Sequence, residues 1–233
     1  MTSTEILAEL KTMGTDSIRR VLSNHGAPSN QYGVKIEDLK KIQKKVKKDY
    51  KLSLELFDTG IPDAQYLAGL IADETKMTRK DLQHWVENAS WHMISEYIVP
   101  WIAAESNFGW ELALKWIDSK NPTIGSSGWC TLASIVGITD DSKLDMEALK
   151  DLLKRVEKEV PSATNRLRYA MNTFLIAAGG YVKQLTPDAL KIGKALGKLT
   201  FETGGSCCKV AYAPDYIQKM LDRGVKKKKM ARC

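Results

Sequence analysis

Two stretches of the sequence repeat one pattern, and this repeat limits the fold more than any other feature. The two stretches are residues 54–72, LELFDTGIPDAQYLAGLIA, and residues 112–135, LALKWIDSKNPTIGSSGWCTLASI. In each, an apolar segment ends at an Asp, and a Pro follows four residues after that Asp. Proline fits the first turn of a helix. The pattern therefore predicts two helices joined by a turn, with Pro62 and Pro122 opening the second helix of each pair.

A third, weaker copy of the pattern contains Pro161, and the helical segment ASWHMISEYIVPWIAA fills the gap between the first two copies. Strand signals are poor, because no stretch alternates apolar and polar residues. One helix pair cannot bury its apolar face alone, but stacked pairs share a core. We expect an all-α, HEAT- or armadillo-like solenoid as one domain over residues 1–223, with a compact bundle as the alternative. The second helices would line the concave face.

The net charge of +7 is concentrated in two places. Residues 35–51 hold eight lysines and three acids, and residues 224–233 hold five cations and no acid. We expect residues 224–233 to form a disordered basic tail that adds nonspecific affinity for a polyanion. Clustered cations bind phosphates, so Lys44 and Lys48 are predicted to contact the phosphates of a polyanion. The alternatives are that the lysines of residues 35–51 form only a solvated helix face and that the tail is loose and binds no polyanion.

The remaining composition argues against several classes of protein. The start lacks a secretory signal and no apolar run approaches the ~20 residues of a membrane span, so we expect a cytoplasmic protein with no membrane partner. The four cysteines form no CxxC pair, which favours reduced thiols. Cys207 and Cys208 are interpreted as buried or incidental thiols. No cofactor and no metal are expected, because His92 and Glu96 supply only two ligands.

The segment around His92 is the strongest candidate for a site. On an α-helix His92 and Glu96 lie at i,i+4 and can pair. Glu96 would be a functional carboxylate that His92 orients, and an ordinary surface pair is the alternative. Trp91 and Trp129 lie on predicted second helices, where they would contact a ligand or pack in the core.

Two arginines stand at the start of a predicted second helix. Arg166 and Arg168 follow Pro161, and cations at a helix start oppose the helix dipole. That mild penalty suggests a phosphate partner. A salt bridge to a neighbouring helix is the alternative.

Four segments in the same order resemble the AlkD-type DNA alkylation repair family of HEAT-like repeat DNA glycosylases. They are YGVKIEDLKKIQKKV, SWHMISEYIV, NPTIGSSGWCTLAS and NRLRYAMNTFLIAAGGY. The resemblance implies excision of cationic alkylated purines from double-stranded DNA. A carboxylate stabilises the charge that develops on the sugar, and aromatic faces favour the cationic base. The family pattern is a Trp, an Asp four residues later, an Arg on the next concave helix and a Trp on the one after.

The sequence departs from this pattern. Ser95 stands four residues after Trp91, the expected Arg falls near Ser126 or Gly128, and the final Trp falls near Thr173. Glu96 is the acid that remains, so the resemblance makes it the candidate catalytic residue, with the lesion near Trp91, His92 and Trp129. We therefore expect a monomeric DNA-binding protein, a glycosylase if catalysis survives. The alternative is a catalytically silent relative that binds DNA structures or scaffolds a protein partner.

Overall fold

The computed structural model describes residues 1–200 and 210–232, and over these residues the protein is all-α, as predicted. Cys207 and Cys208 lie outside the described residues. The α-helices are α1 (Ser3–Met13), α2 (Asp16–Asn24), α3 (Ile36–Val46), α4 (Tyr50–Asp58), α5 (Pro62–Ile71), α6 (Arg79–Glu87), α7 (Val99–Glu105), α8 (Gly109–Ile117), α9 (Pro122–Ile138), α10 (Met146–Glu159), α11 (Asn165–Tyr181), α12 (Thr186–Leu196) and α13 (Ala213–Asp222).

The helices from α4 onward pack in consecutive pairs, which is the arrangement that the sequence repeat predicts. The pairs are α4 with α5, α6 with α7, α8 with α9, α10 with α11, and α12 with α13. Pro62 and Pro122 each open the second helix of a pair, as expected. The second helices α5, α7, α9, α11 and α13 also pack side by side. We call them the second row.

Glycine permits the closest approaches within this stack. A Cβ at Gly69 of α5 would lie 2.4 Å from the Ile98 side chain, and a Cβ at Gly128 of α9 would lie 2.7 Å from the backbone nitrogen of Ile117 in α8. Contacts that short do not occur, so any other residue would push the helices apart. The stacked pairs thereby bury two apolar clusters that run along the solenoid.

The segment before α7 departs from the predicted regular helix. Residues Ile94–Ile98 form a π-helical turn, in which the Val99 N–H donates to the Ile94 carbonyl five residues earlier. Pro100 explains the change, because a proline ring clashes with the carbonyl four residues before it in an α-helix. That carbonyl belongs to Glu96. The wider π turn relieves the clash and changes the direction in which Glu96 points.

The end of the chain also differs from expectation. The sequence predicts a disordered tail, whereas residues 225–232 lie against the C-terminal ends of the second-row helices. We call this segment the strap. Its Lys228 N–H donates to Gly137 of α9 over 2.8 Å, and its Lys227 Nζ donates to the Val136 carbonyl over 2.7 Å. Lys227 also pairs with Asp141 at 2.8 Å.

Arg232 anchors the strap to the first half of the solenoid. Its side chain is 5% exposed and pairs with Glu105, the last residue of α7, and with Glu74. Its Nη1 also donates to the carbonyls of Gly69 and Ala72, over 3.2 and 2.9 Å. The buried guanidinium is therefore surrounded by acceptors, which a buried charge requires.

The strap is ordered because helix ends leave carbonyls unpaired and carry partial negative charge. Its cations supply the missing donors at the end of α9 and at the end of α5. The basic tail has no apolar pattern of its own. It is held by carbonyls at the ends of α5 and α9, which come together only when the second row has packed.

Replacing Arg232 by Met is expected to lower the free energy of unfolding by about 3 kcal/mol, because the half-buried Glu105 loses its charged partner and Glu74 keeps only Lys48. Urea unfolding measures this difference. The control is Lys229→Met, three positions earlier and exposed, which is expected to change stability by no more than about 0.5 kcal/mol. Equal stabilities of the two variants would contradict the anchoring role.

Candidate nucleic-acid interface

Glu96, the predicted catalytic carboxylate, is held by an arginine from the next pair but one. The Arg166 Nε donates to Glu96 Oε1 over 2.8 Å, and its Nη2 donates to Oε2. The Glu96 side chain is 2% exposed and that of Arg166 is 38% exposed. Burial raises the pKa of the Glu96 carboxyl, and Arg166 opposes that rise. Both carboxylate oxygens are thus engaged in a two-bond pair, and neither is presented to solvent as a free base.

His92 does not form the predicted pair with Glu96, because the π turn places the carboxylate against Arg166. His92 instead packs edge-on to Trp91, with ring centroids 4.8 Å apart. Burial, with the positive charge of Arg166 and a contribution from His25, lowers the pKa of His92 to about 4. The imidazole is therefore neutral at pH 7 and carries no charge for a phosphate.

Trp129 lies in the core, which was the alternative to contact with a ligand. Its side chain has no exposed surface, and its ring packs 5.3 Å from that of Phe174 between centroids. A residue in this position has no free face for a DNA base. Trp91 differs, because it is half-buried and packs against the edge of the first apolar cluster.

Arg166 and Arg168 both have protein partners in the structure. Arg166 forms the salt bridge that was the alternative to a phosphate contact, whereas Arg168 bonds backbone carbonyls. Arg168 donates to the carbonyls of Val160 and Ala163 over 3.3 and 2.9 Å, and its Nη1 donates to Thr200. Both predicted phosphate contacts would therefore compete with internal hydrogen bonds.

The two basic segments of the sequence meet at one edge of the protein. Lys44 lies in the last turn of α3, and Lys47 and Lys48 come directly after this helix. These three lysines line a surface depression together with Met230 and Arg232 of the strap. More than 170 residues separate these segments in the chain. The exposed lysines of the two segments, which we call the basic edge, are Lys44, Lys47, Lys48, Lys226, Lys228 and Lys229. The first three line the depression, whereas Lys226 and Lys228 lie farther back along the strap, near the ends of α9 and α11.

Lys48 also shows how the two segments are joined. Its Nζ donates to Glu74 over 2.6 Å, and Glu74 also pairs with Arg232. The side chain of Lys48 remains half exposed. One carboxylate therefore ties the end of α3 to the end of the strap, and it leaves the outer side of Lys48 open to an anion.

The second row itself carries little charge beside this edge. Helix α9 has no charged residue among its seventeen, and α5 has only Asp63, which is buried against the N–H groups of Tyr32 and Val34. An anionic ligand beside α5 and α9 would thus be held at the edge and not by the faces of these two helices. Phosphate backbones are bound by such rows of lysine.

Lys47 was not singled out from the sequence. It stands at the C-terminal cap of α3 with φ 62° and ψ −139°, the one described non-glycine residue with a positive φ. That conformation is almost restricted to glycine. Strain of this kind often accompanies a functional side chain, and no pattern in the sequence signals it.

The described residues contain no group of three or more His, Cys, Asp or Glu placed to hold a metal ion. Among the helices in the described part of the chain, none is both long and apolar enough to cross a membrane.

Comparison with known proteins gives three kinds of match. Uncharacterized protein Lin0241 of Listeria innocua is 29% identical over 229 residues, which are 96% of this chain and 99% of that protein. Uncharacterized protein Lmo0209 of Listeria monocytogenes is 28% identical with the same coverage. A solved structure matches with a TM-score of 0.92 and 31% identity over the whole of both chains. It is described as "a new family of proteins related to the HEAT-like repeat DNA glycosylases with affinity for branched DNA structures".

The family match covers most of the sequence. A family model described as "DNA alkylation repair enzyme" matches residues 6–202, from the first apolar residues of α1 to the segment after α12. The paired helices except α13, and all four motifs, lie within this range. The chain therefore belongs to the DNA alkylation repair family and has its HEAT-like helical-repeat fold.

Proposed function

We propose that this protein binds branched DNA by contacts between its basic edge and the phosphate backbone, and that it does so as a monomer without excising bases. The observation that carries the proposal is the meeting of the end of α3 with the strap, which joins two segments of exposed lysines into the basic edge. The affinity of the structural relative for branched DNA supports the choice of ligand. The arms of a branched molecule are duplexes, and each offers a phosphate backbone to such an edge.

The absence of charged residues from α9, at the centre of the second row, supports binding by shape over binding by sequence. Reading a base sequence requires polar side chains that reach base edges in a groove. The lysines of the basic edge are long, exposed side chains suited to phosphates. Branch points differ from plain duplex in the path of their backbones, so a fixed row of cations can prefer them.

Neutralising three lysines of the basic edge tests this proposal. Lys44→Gln, Lys47→Gln and Lys229→Gln together are expected to weaken binding to a four-way junction. Each lost phosphate contact lowers the slope of log affinity against log salt by about one. The matched control neutralises Lys80, Lys154 and Lys191 on the outer helices α6, α10 and α12. Equal salt slopes for the two triple variants would contradict binding at the edge.

Lys47→Gly separates function from stability at the strained position. Glycine adopts a positive φ freely, so the variant is expected to gain about 1 kcal/mol in the free energy of unfolding. Loss of the side chain is expected to weaken junction binding. Urea unfolding and fluorescence anisotropy measure the two effects. A variant that is less stable than the wild type would show that the Lys47 backbone is not strained.

Base excision by Glu96 is the second candidate function. In its favour, Glu96 is a buried carboxylate on the second row with a raised pKa. Against it, Arg166 holds both carboxylate oxygens, Ser95 stands four residues after Trp91, and Trp129 lies in the core. A carboxylate that must stabilise a developing cation works best without a guanidinium on both oxygens.

Release of free base from methylated duplex DNA decides between the two functions. Our proposal predicts no release by the wild type above the rate of the DNA alone, and unchanged junction affinity for Glu96→Gln. The inert control is Glu147→Gln, an exposed carboxylate on the outer helix α10. Release by the wild type that is lost in Glu96→Gln and kept in Glu147→Gln would instead establish a glycosylase.

A further inference from the structure

A cavity of about 240 Å³ opens beside the basic edge, between the second-row helices α7, α9, α11 and α13. Small residues form part of its wall on α9 and α11, and these are Ala133, Ser134, Gly137 and Ala177. Pockets for drug-sized ligands span roughly 300–1,000 Å³. This cavity is therefore suited to one small planar group and not to an extended ligand.

Aromatic rings form much of the remaining wall. Tyr97, Trp101, Tyr169 and Tyr181 line the cavity, and the rings of Tyr97 and Trp101 meet edge-on with centroids 6.0 Å apart. Burial raises the pKa of the Tyr97 phenol, so it stays protonated, and it shares a hydrogen bond with Tyr169. All four rings belong to partly exposed side chains, so the cavity opens to solvent. Aromatic walls with a few hydroxyl groups are the usual environment of a bound nucleobase.

The strap connects the cavity to the basic edge. Lys228 and Ala231 of the strap lie at its rim, and Lys228 is also one of the six exposed lysines of the basic edge. The position of the Lys228 backbone is fixed by its hydrogen bond to Gly137, which lines the same cavity. A phosphate bound at Lys228 would therefore bring its own nucleotide to the mouth of the cavity.

We propose that this cavity receives a single unpaired nucleobase from a branch point while the adjoining phosphates lie on the basic edge. The inference rests on the proposed binding of branched DNA and adds the group that the protein recognises. Turning a base out of a duplex costs a few kcal/mol, but a base that is already unpaired avoids most of this cost. A branch with an unpaired base is thus preferred over plain duplex without any reading of sequence.

The test compares two three-way junctions that differ at one position. One has an unpaired adenine at the branch, and the other has an abasic analogue in its place, so the phosphates are the same. The wild type is expected to bind the first about tenfold more tightly in fluorescence anisotropy, the contribution of one stacked base. Ala133→Leu and Ser134→Leu each place a larger side chain at the cavity wall, and each is expected to abolish the difference while keeping affinity for the abasic junction.

Ala104→Leu on α7 is the matched control, because Ala104 is partly exposed and lies outside the cavity wall. It is expected to keep the tenfold preference. Equal affinity of the wild type for both junctions would overturn the cavity inference and leave the proposed function standing. A wild type that binds neither junction would overturn the proposed function, and the inference with it. A preference that survives both cavity variants would place the base elsewhere and overturn the inference.

Discussion

The ion pairs of Arg232 hold the arrangement of the second row and of the basic edge in place. One guanidinium, buried near the first helix pairs, is bound by Glu74, Glu105 and two carbonyls at the end of α5. Through Glu74 it is linked to Lys48 at the end of α3. Without this guanidinium the strap keeps its contacts with the last turn of α9 and with Asp141, and the hydrogen bond from the Ala231 N–H to Glu105. It loses the pair with Glu74, which links the two basic segments of the chain. The surface that we propose for DNA is therefore a product of a buried charge cluster.

The repeat in the sequence was enough to predict the helix pairs, because Pro62 and Pro122 stand at matching offsets and mark where α5 and α9 begin. Pro161 of the weaker copy lies in a short turn before α11. The sequence was also enough to locate both basic segments. Their meeting could not be predicted, since it depends on carbonyls at the ends of α5 and α9 that accept hydrogen bonds only after the pairs have stacked. The prediction of a disordered tail differed from the structure for the same reason, because nothing within residues 224–233 indicates a partner.

The candidate site shows a second limit. His92 and Glu96 were predicted to pair on the assumption of a regular helix, and the consequence of Pro100 for the carbonyl of Glu96 was missed. That proline was the available signal. The partner of Glu96 is 70 residues away, and no local pattern joins it to Arg166. Trp91 and Trp129 were each predicted to contact a ligand or to pack in the core. Trp129 packs in the core, because its apolar helix α9 is buried on more than one side.

The strap also changes how the solenoid is expected to fold. In most repeat proteins each unit contacts only its neighbours, so unfolding can begin at either end and spread one repeat at a time. Here residues near the end of the chain bond to helices near its beginning, across more than 150 residues. Such long-range closure slows folding, and it couples fraying of the first repeats to that of the last. The protein is therefore expected to unfold cooperatively in a single transition, and not one repeat at a time from its ends.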